Sequence, residues 1–370
     1  MSSEWYTIDN IDELDSPAMV VYPERVRDNI KAVKGMIDDV DRLRPHVKTN
    51  KAKEVCKMLM DEGIKKFKCA TIAEAEMLGM IRAQDVLLAY QPTGPKLTRF
   101  LQLIRKYPTT TYSCLYDNAQ SAQDISIAFA DQGLRINAYM DVNNGNDRSG
   151  IIPGPEAVAL YEKVATMKGI VPVGLHVYDG QHRQVDIAER TKACNAAFEA
   201  VEKLKIDIQQ LGFPEPVILA GGSPTFPVHA QRKDVICCPG TFVYWDKGYS
   251  DICAEQPFLP AALVVSRVIS LPTKTRICTD LGHKSIASEN VLTNRVHFLN
   301  ARELKPVGQS EEHLVLEAGE GHGYKVGDIL YGLPFHICPT VALYERVNTV
   351  QKGRVNGEWK VIARDRKIEV

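Results

Sequence analysis

Arg44, His46 and Lys48 stand at alternate positions of the stretch RPHVKTNK. Strand side chains alternate faces, so the three cations share one face, with Leu43, Pro45, Val47 and Thr49 on the other. Lys48 closes the run, where it gives way to the helical pattern NKAKEVCKML. A lysine held among other cations binds its proton less tightly. It then becomes an amine nucleophile for a carbonyl, which is Schiff-base chemistry. A solvated lysine at a strand end is the simpler account of any one lysine, and the shared cationic face tilts the balance only modestly.

Two later loops bear on the choice. LAGGSPTFP places Gly221, Gly222 and Ser223 after an apolar run, and CCPGTFVYWD places Gly240 and Thr241 after another. Glycines let backbone N–H groups approach an anion, and hydroxyls add donors. Ordinary strand-to-helix turns use glycine as freely, but two such loops late in the chain favour a phosphate. A Schiff-base lysine with a phosphate cradle is what pyridoxal 5'-phosphate (PLP) requires. Around it, MDVNNGNDRSG offers Arg148, while GLHVYDGQHR offers His176, Tyr178 and His182 on one period-2 face. Tyr178 is placed to touch a cofactor ring and His182 to act as a general base. His176 reads as a satisfied interior histidine. In PFHICPTVALY, His336 and Cys338 are two apart. On a strand their nitrogen and sulfur could share one divalent metal ion. On spacing alone, a core cysteine beside a half-buried histidine is the better reading.

Elements that alternate must position these residues. From about residue 16 to 246, strand-like runs (PAMVVY, RLRPHV, KKFKCAT, DVLLAY and later ones) alternate with segments of helical period, such as Val26, Ile30, Val33 and Ile37. About eight repeats of strand then helix predict a parallel α/β barrel, a (β/α)8 or TIM-type fold, with its chemistry at the strand C-terminal ends. After about residue 255 the runs are strand-like without long helices. Asn356-Gly357 then reads as a hairpin turn. The expected division is therefore a barrel over 16–250 and an all-β domain over 251–370, joined by residues 1–15. The 370 residues are 45% hydrophobic and 25% charged with a net charge of -1, and the basic residues form no long tract. Nucleic acid is not the expected partner. No apolar run approaches the roughly 20 residues of a membrane span, so no membrane partner is expected. Nine scattered cysteines and no export signal point to reduced thiols in a cytoplasm.

Together these stretches resemble the D-threonine aldolase and D-serine dehydratase family, a branch of the alanine-racemase-like PLP enzymes of fold type III. The likeness runs nearly the full chain through ELDSPAMVVY, LRPHVKTNK, KCATIAEAEML, DVNNGNDRSG, GLHVYDG, AGGSPTFP, PGTFVYWDKGY, TDLGHKSIASE and PFHICPTVALY. The resemblance implies that Lys48, with His46 beside it, carries PLP. It gives Arg148 the phenolic oxygen, Tyr178 the ring, and Gly222, Ser223, Gly240 and Thr241 the phosphate. His336 and Cys338 would hold a divalent ion (zinc, manganese or magnesium) facing the substrate. The implied fold is an alanine racemase N-terminal-like barrel with a β domain, in a homodimer. The implied reaction is metal-assisted retro-aldol cleavage of a D-β-hydroxy-α-amino acid to glycine and an aldehyde. D-serine dehydration, amino-acid racemisation and non-catalytic PLP binding are the alternatives. Asn50 stands where the family more often has histidine, and Gln181 separates Gly180 from His182.

Overall fold

The structure is a computed structural model describing residues 4–370. Its contacts divide the chain into two compact units. A barrel unit comprises Val33–Lys48, Cys56–Gly240 and Asp365–Val370, and a β unit comprises the N-terminal residues through Ala32, Thr49–Val55 and Thr241–Arg364. The sequence reading assigns 16–250 to the barrel and 251–370, with residues 1–15, to the β domain; the contacts in addition give Thr49–Val55 and the residues through Ala32 to the β unit, and Asp365–Val370 to the barrel unit.

The first strand, β1 (Ala18–Val21), belongs to the β unit. It pairs antiparallel with the later strand Ala262–Ser270 and parallel with Arg346–Gln351. The reading that counted PAMVVY among the alternating barrel strands is therefore corrected. All four residues of β1 are buried. An apolar run followed by a helix says that a strand is central, but not which sheet it enters.

The barrel unit is built on seven parallel strands in sequential order: β2 (Lys66–Cys69), β3 (Asp85–Leu88), β4 (Thr111–Tyr116), β5 (Ile136–Asn143), β6 (Ile170–Tyr178), β7 (Val217–Ala220) and β8 (Val235–Cys237). The eighth stave is the cationic stretch itself. Arg44 N donates to Cys237 O and His46 N to Pro239 O on one side, while Val47 N donates to Lys68 O and Lys68 N to Pro45 O on the other, all at 2.9 Å. Leu43–Val47 thus joins the sheet's two edges, β8 and β2, in parallel bridges. Pro45 has no N–H to give, which keeps this ladder short. Leu87, Leu115, Tyr139, Leu219 and Cys238, one from each of five staves, form an apolar cluster. Arg44, 1% exposed, makes a two-pronged ion pair with Asp85 at 2.7 and 2.8 Å. Helices between strands start on readable signals. Thr71, Asn118 and Asp186 cap three of them with side-chain oxygens, and Pro95 and Pro155 open two others.

The β unit holds a mainly antiparallel nine-stranded sheet. Its later strands are β9 (Ala262–Ser270), β10 (Arg276–Thr279), β11 (Val296–Phe298), β12 (Lys305–Gln309), β13 (Leu314–Glu317), β14 (Ile329–Pro334), β15 (Arg346–Gln351) and β16 (Arg354–Lys360). Alternation along β9 sends Leu263 and Val265 into one cluster with Tyr6, Ile8 and Val20, and Val264 and Val268 into another with Ile277 and Leu316. Both faces of β9 are therefore buried. The β15–β16 turn is Lys352-Gly353, both at positive φ (49° and 74°), and not Asn356-Gly357. Gly357 lies within β16 opposite Thr349, and the Asn356 side chain accepts from the Thr349 hydroxyl. A lysine in the left-handed region gave no sequence signal strong enough to compete with Asn-Gly.

Candidate active site

Four staves of the barrel unit bring functional side chains to one cavity of about 500 Å³. His46 and Lys48 come from the first stave, Lys68 from β2, Asp141 from β5, and His176 and Tyr178 from β6; Arg148 joins from the loop after β5. The Tyr178 ring is the centre of a cationic group. Arg148 Cζ lies 4.4 Å, Lys68 Nζ 5.7 Å and Lys48 Nζ 6.0 Å from its centroid. The Lys48 backbone N–H donates to His46 Nδ1 at 3.2 Å, fixing that imidazole beside the lysine.

Arg148 is not on a loose loop. Asn143 N donates to Ile151 O and Ile151 N to Asp141 O, both at 2.9 Å, which closes the loop at its base. Gly150 N donates to Asp117 Oδ2 at 3.1 Å and Ser149 Oγ to Asp141 Oδ2 at 2.8 Å. Gly150 sits at φ 98°, and a Cβ there would meet Asn143 N at 2.6 Å, so only glycine fits.

Asp141 Oδ1 lies 2.7 Å from His176 Nδ1. Burial pushes the Asp141 carboxyl up, but His176, Ser149 and the Lys68 charge outweigh it and leave it below the ordinary value. His176 moves down, through burial first and Lys68 second, against the pull of Asp141. A carboxylate therefore faces a neutral imidazole with its proton on Nδ1. His176 Nε2 is buried without a hydrogen-bond partner. Lys68 is also held below an ordinary lysine, by burial first, with Lys48 and Arg148 adding to it and Cys238 and Asp141 opposing.

The glycine loops abut this cavity's residues. A Cβ on Gly222 would come within 3.3 Å of Tyr178 Cε2, and one on Gly240 within 2.8 Å of His46 O. Gly240 N points at Ser223 Oγ, 3.5 Å away. Behind them lies a buried buttress. Thr225 Oγ1 donates to Asp179 Oδ1 and takes Gly222 N, at 2.7 and 3.3 Å, while His229 Nε2 sits 2.7 Å from Asp179 Oδ2. Asp179, Cys194 and His229 are close enough to hold a metal ion. A metal-bound histidine normally gives its other N–H to an acceptor, yet His229 Nδ1 faces the Arg232 guanidinium at 3.0 Å. The proton then belongs on Nε2, toward Asp179, and the cluster is a hydrogen-bonded brace for the Gly221–Ser223 loop.

His182 is buried and does not line the cavity among the described residues; its Nε2 is 3.4 Å from the Gln181 amide nitrogen. Burial holds its imidazole low, against Asp179. In the β unit, His336 and Cys338 are not on a strand, as the sequence suggested. His336 is the N-cap of the helix Ile337–Leu343, which follows β14, and Cys338 lies in that helix's first turn. The two side chains still meet in a hydrogen bond. His336 Nδ1 is 2.5 Å from Glu289 Oε1, and Cys338 Sγ is 3.1 Å from Thr49 Oγ1 and 3.8 Å from Thr241 Oγ1. Burial pulls His336 down, but Cys338, Glu289 and Asp246 lift it to about 9. A carboxylate on one ring nitrogen and a thiol by the imidazole form a donor set suited to a divalent ion.

The alanine racemase N-terminal domain family matches residues 21–247. The chain belongs to that family. Residues 261–350 match the "Putative serine dehydratase domain". The D-threonine aldolase of an Arthrobacter species is 25% identical, over 96% of this chain and 94% of that protein. The D-threo-3-hydroxyaspartate dehydratase of a Delftia species is 26% identical, over 91% and 94%. The crystal structure of D-threonine aldolase from Filomicrobium marinum superposes with a TM-score of 0.86 at 23% identity, over 95% of this chain and 96% of that one. The fold is therefore alanine-racemase-like. The Delftia enzyme has also been solved as a histidine-to-alanine variant and as a cysteine-to-alanine variant in a metal-free form, the two positions being two residues apart.

Sequence reasoning singled out Lys48, His46, Arg148 and Tyr178, which share the cavity. It missed Lys68, Asp141 and Glu289, and it set His176 aside. Lys68 left one trace: a lysine inside KFKC, a run otherwise buried from Phe67 onward.

Proposed function

We propose that this chain is a PLP-dependent lyase that cleaves a D-β-hydroxy-α-amino acid, D-threonine-like, to glycine and an aldehyde with the help of a divalent ion. The observation that carries the reading is the cavity itself: Lys48 and Arg148 gathered about Tyr178, with glycine loops against His46 and Tyr178. That is a site for a polyanionic aromatic aldehyde. When bound, PLP supplies a sink for the electron pair left at Cα, and the ion supplies Lewis acidity at the substrate hydroxyl.

The chain's own residues do the rest. Lys48 Nζ is the amine to which the aldehyde attaches. The Arg148 guanidinium, clamped through Ser149 and Gly150, holds a phenolic oxygen, and Tyr178 packs on the ring. N–H groups of Gly222 and Gly240 and the hydroxyls of Ser223 and Thr241 hold the phosphate. His336 and Cys338 hold the ion, with Glu289 orienting the imidazole from Nδ1. His182, the sequence's candidate for taking the hydroxyl proton, lies outside the cavity lining among the described residues and takes no part in this reading. The nine free thiols support a reducing cytoplasm as the setting. No helix among the described residues is long and apolar enough to cross a membrane. A homodimer is the proposed assembly.

The test is product identification over a panel of D- and L-β-hydroxy amino acids, with and without chelator. Glycine and an aldehyde from the D-isomers only, lost on chelation, is the expected result. Keto acid and ammonia would move the assignment to a dehydratase like the Delftia relative. Turnover unaffected by chelator would remove the ion's role.

A further inference from the structure

Lys68 lines the cavity without a role in the reaction proposed above. It projects from the middle of β2, is 4% exposed, and its ammonium makes no hydrogen bond or ion pair among the described residues. Its charged neighbours are two cations, Lys48 and Arg148, and one carboxylate, Asp141, which is already engaged by His176 and Ser149. An ammonium buried among cations is costly, and a methionine of similar shape would be tolerated far better. A second, independent observation sits in the same cavity: His176 Nε2 is buried with no partner, its ring fixed by Asp141 at 2.7 Å.

A buried cation that makes no ion pair, with an N–H to spare beyond the free lone pair of His176, is a place prepared for an anion. The phosphate is provided for by the glycine loops and the phenolic oxygen by Arg148. The anionic group of an amino acid that remains is its α-carboxylate. Resting on the function proposed above, we propose that Lys68 is the residue that binds the substrate carboxylate. The ammonium has three N–H donors. With ligand bound, one is available to His176 Nε2 and two to the carboxylate oxygens. Asp141 and His176 are positioning residues for it, and Lys68 is what makes a free α-amino acid, rather than its amide or ester, the preferred ligand.

The same cation could instead hold an anionic group of PLP, and the experiment separates the two. Apoenzyme is titrated with PLP, and holoenzyme is titrated spectroscopically with D-alanine and with D-alaninamide, which lack the hydroxyl needed for cleavage. For Lys68→Met, PLP affinity should stay within about two-fold, while D-alanine binding weakens about ten- to hundred-fold and D-alaninamide binding is unchanged. Lys68→Arg should restore part of the preference for the acid. The unliganded Lys68→Met protein should melt a few degrees above wild type, since an uncompensated buried charge is gone. A preserved preference for the acid, a lowered melting point, or a loss confined to PLP affinity would each overturn the assignment. A wild-type protein that shows no visible PLP absorption would instead defeat the function proposed above.

Discussion

Around Tyr178 the charges are arranged so that one side chain sets the state of the next. Asp141 keeps a proton on His176 Nδ1, and Lys68 and burial keep a second proton off that ring. This has a consequence for stability. In the unfolded chain His176 takes up a proton near its ordinary 6.5, whereas the folded protein does so only at lower pH. Between those values the unfolded state binds more protons, so stability should be intact above pH 6.5 and fall as pH drops below it. Urea midpoints measured from pH 8 to 5 should show that decline, and His176→Gln should flatten it. At Lys48, replacement by alanine should abolish the visible absorption of bound PLP and the borohydride-trapped label; a spectrum like wild type would refute the attachment. Lys48, Arg148 and Tyr178 were legible because each stands at or just past the end of a recognisable strand with a side chain of unusual type for its place. Lys68 and His176 were not. Inward-facing polar residues on a barrel strand look, in one dimension, like the polar half of any alternating strand.

Glycine carries different meanings in different elements, and substitutions separate them. Gly240 is held against His46 O, where a Cβ would come to 2.8 Å of backbone. Gly240→Ala should weaken PLP binding about ten-fold or more, read by apoenzyme titration, with a smaller effect on folding. Gly353, at φ 74° in the β15–β16 turn, needs its conformation for the hairpin alone. Gly353→Ala should cost about 1 kcal/mol and lower the melting temperature by about 2–4 °C. Gly357→Ala, inside β16, should cost less. The opposite ranking is what the Asn-Gly motif suggested from sequence. The strand runs were readable because periodicity and length separate them from helices. Their partners were not, since hydrogen-bond pairing is decided by residues far away. β1 shows this, as does the turn after β14, where a predicted strand becomes a helix cap at His336.

For the molecule as a whole, the barrel's closure depends on one irregular stave. Leu43–Val47 contributes few ladder bonds because of Pro45, and the Arg44–Asp85 ion pair reinforces it from within. Arg44→Ala should leave Asp85 without its partner and cost about 3 kcal/mol, toward the lower end of the usual range because Asp85 is part-exposed. Equilibrium denaturation would show it. Arg44→Ala combined with Asp85→Ala should recover much of the loss.

The borders between the two units fall at Lys48/Thr49 and at Gly240/Thr241 as well as further along the chain. Each unit is therefore assembled from three separate stretches of polypeptide. No single excised fragment contains either one complete without most of the other, and a chimera made by exchanging the C-terminal third would carry over only part of what it was meant to transplant. Variation in this chain has to proceed by substitution in place, because recombination at a single point has no clean seam to use.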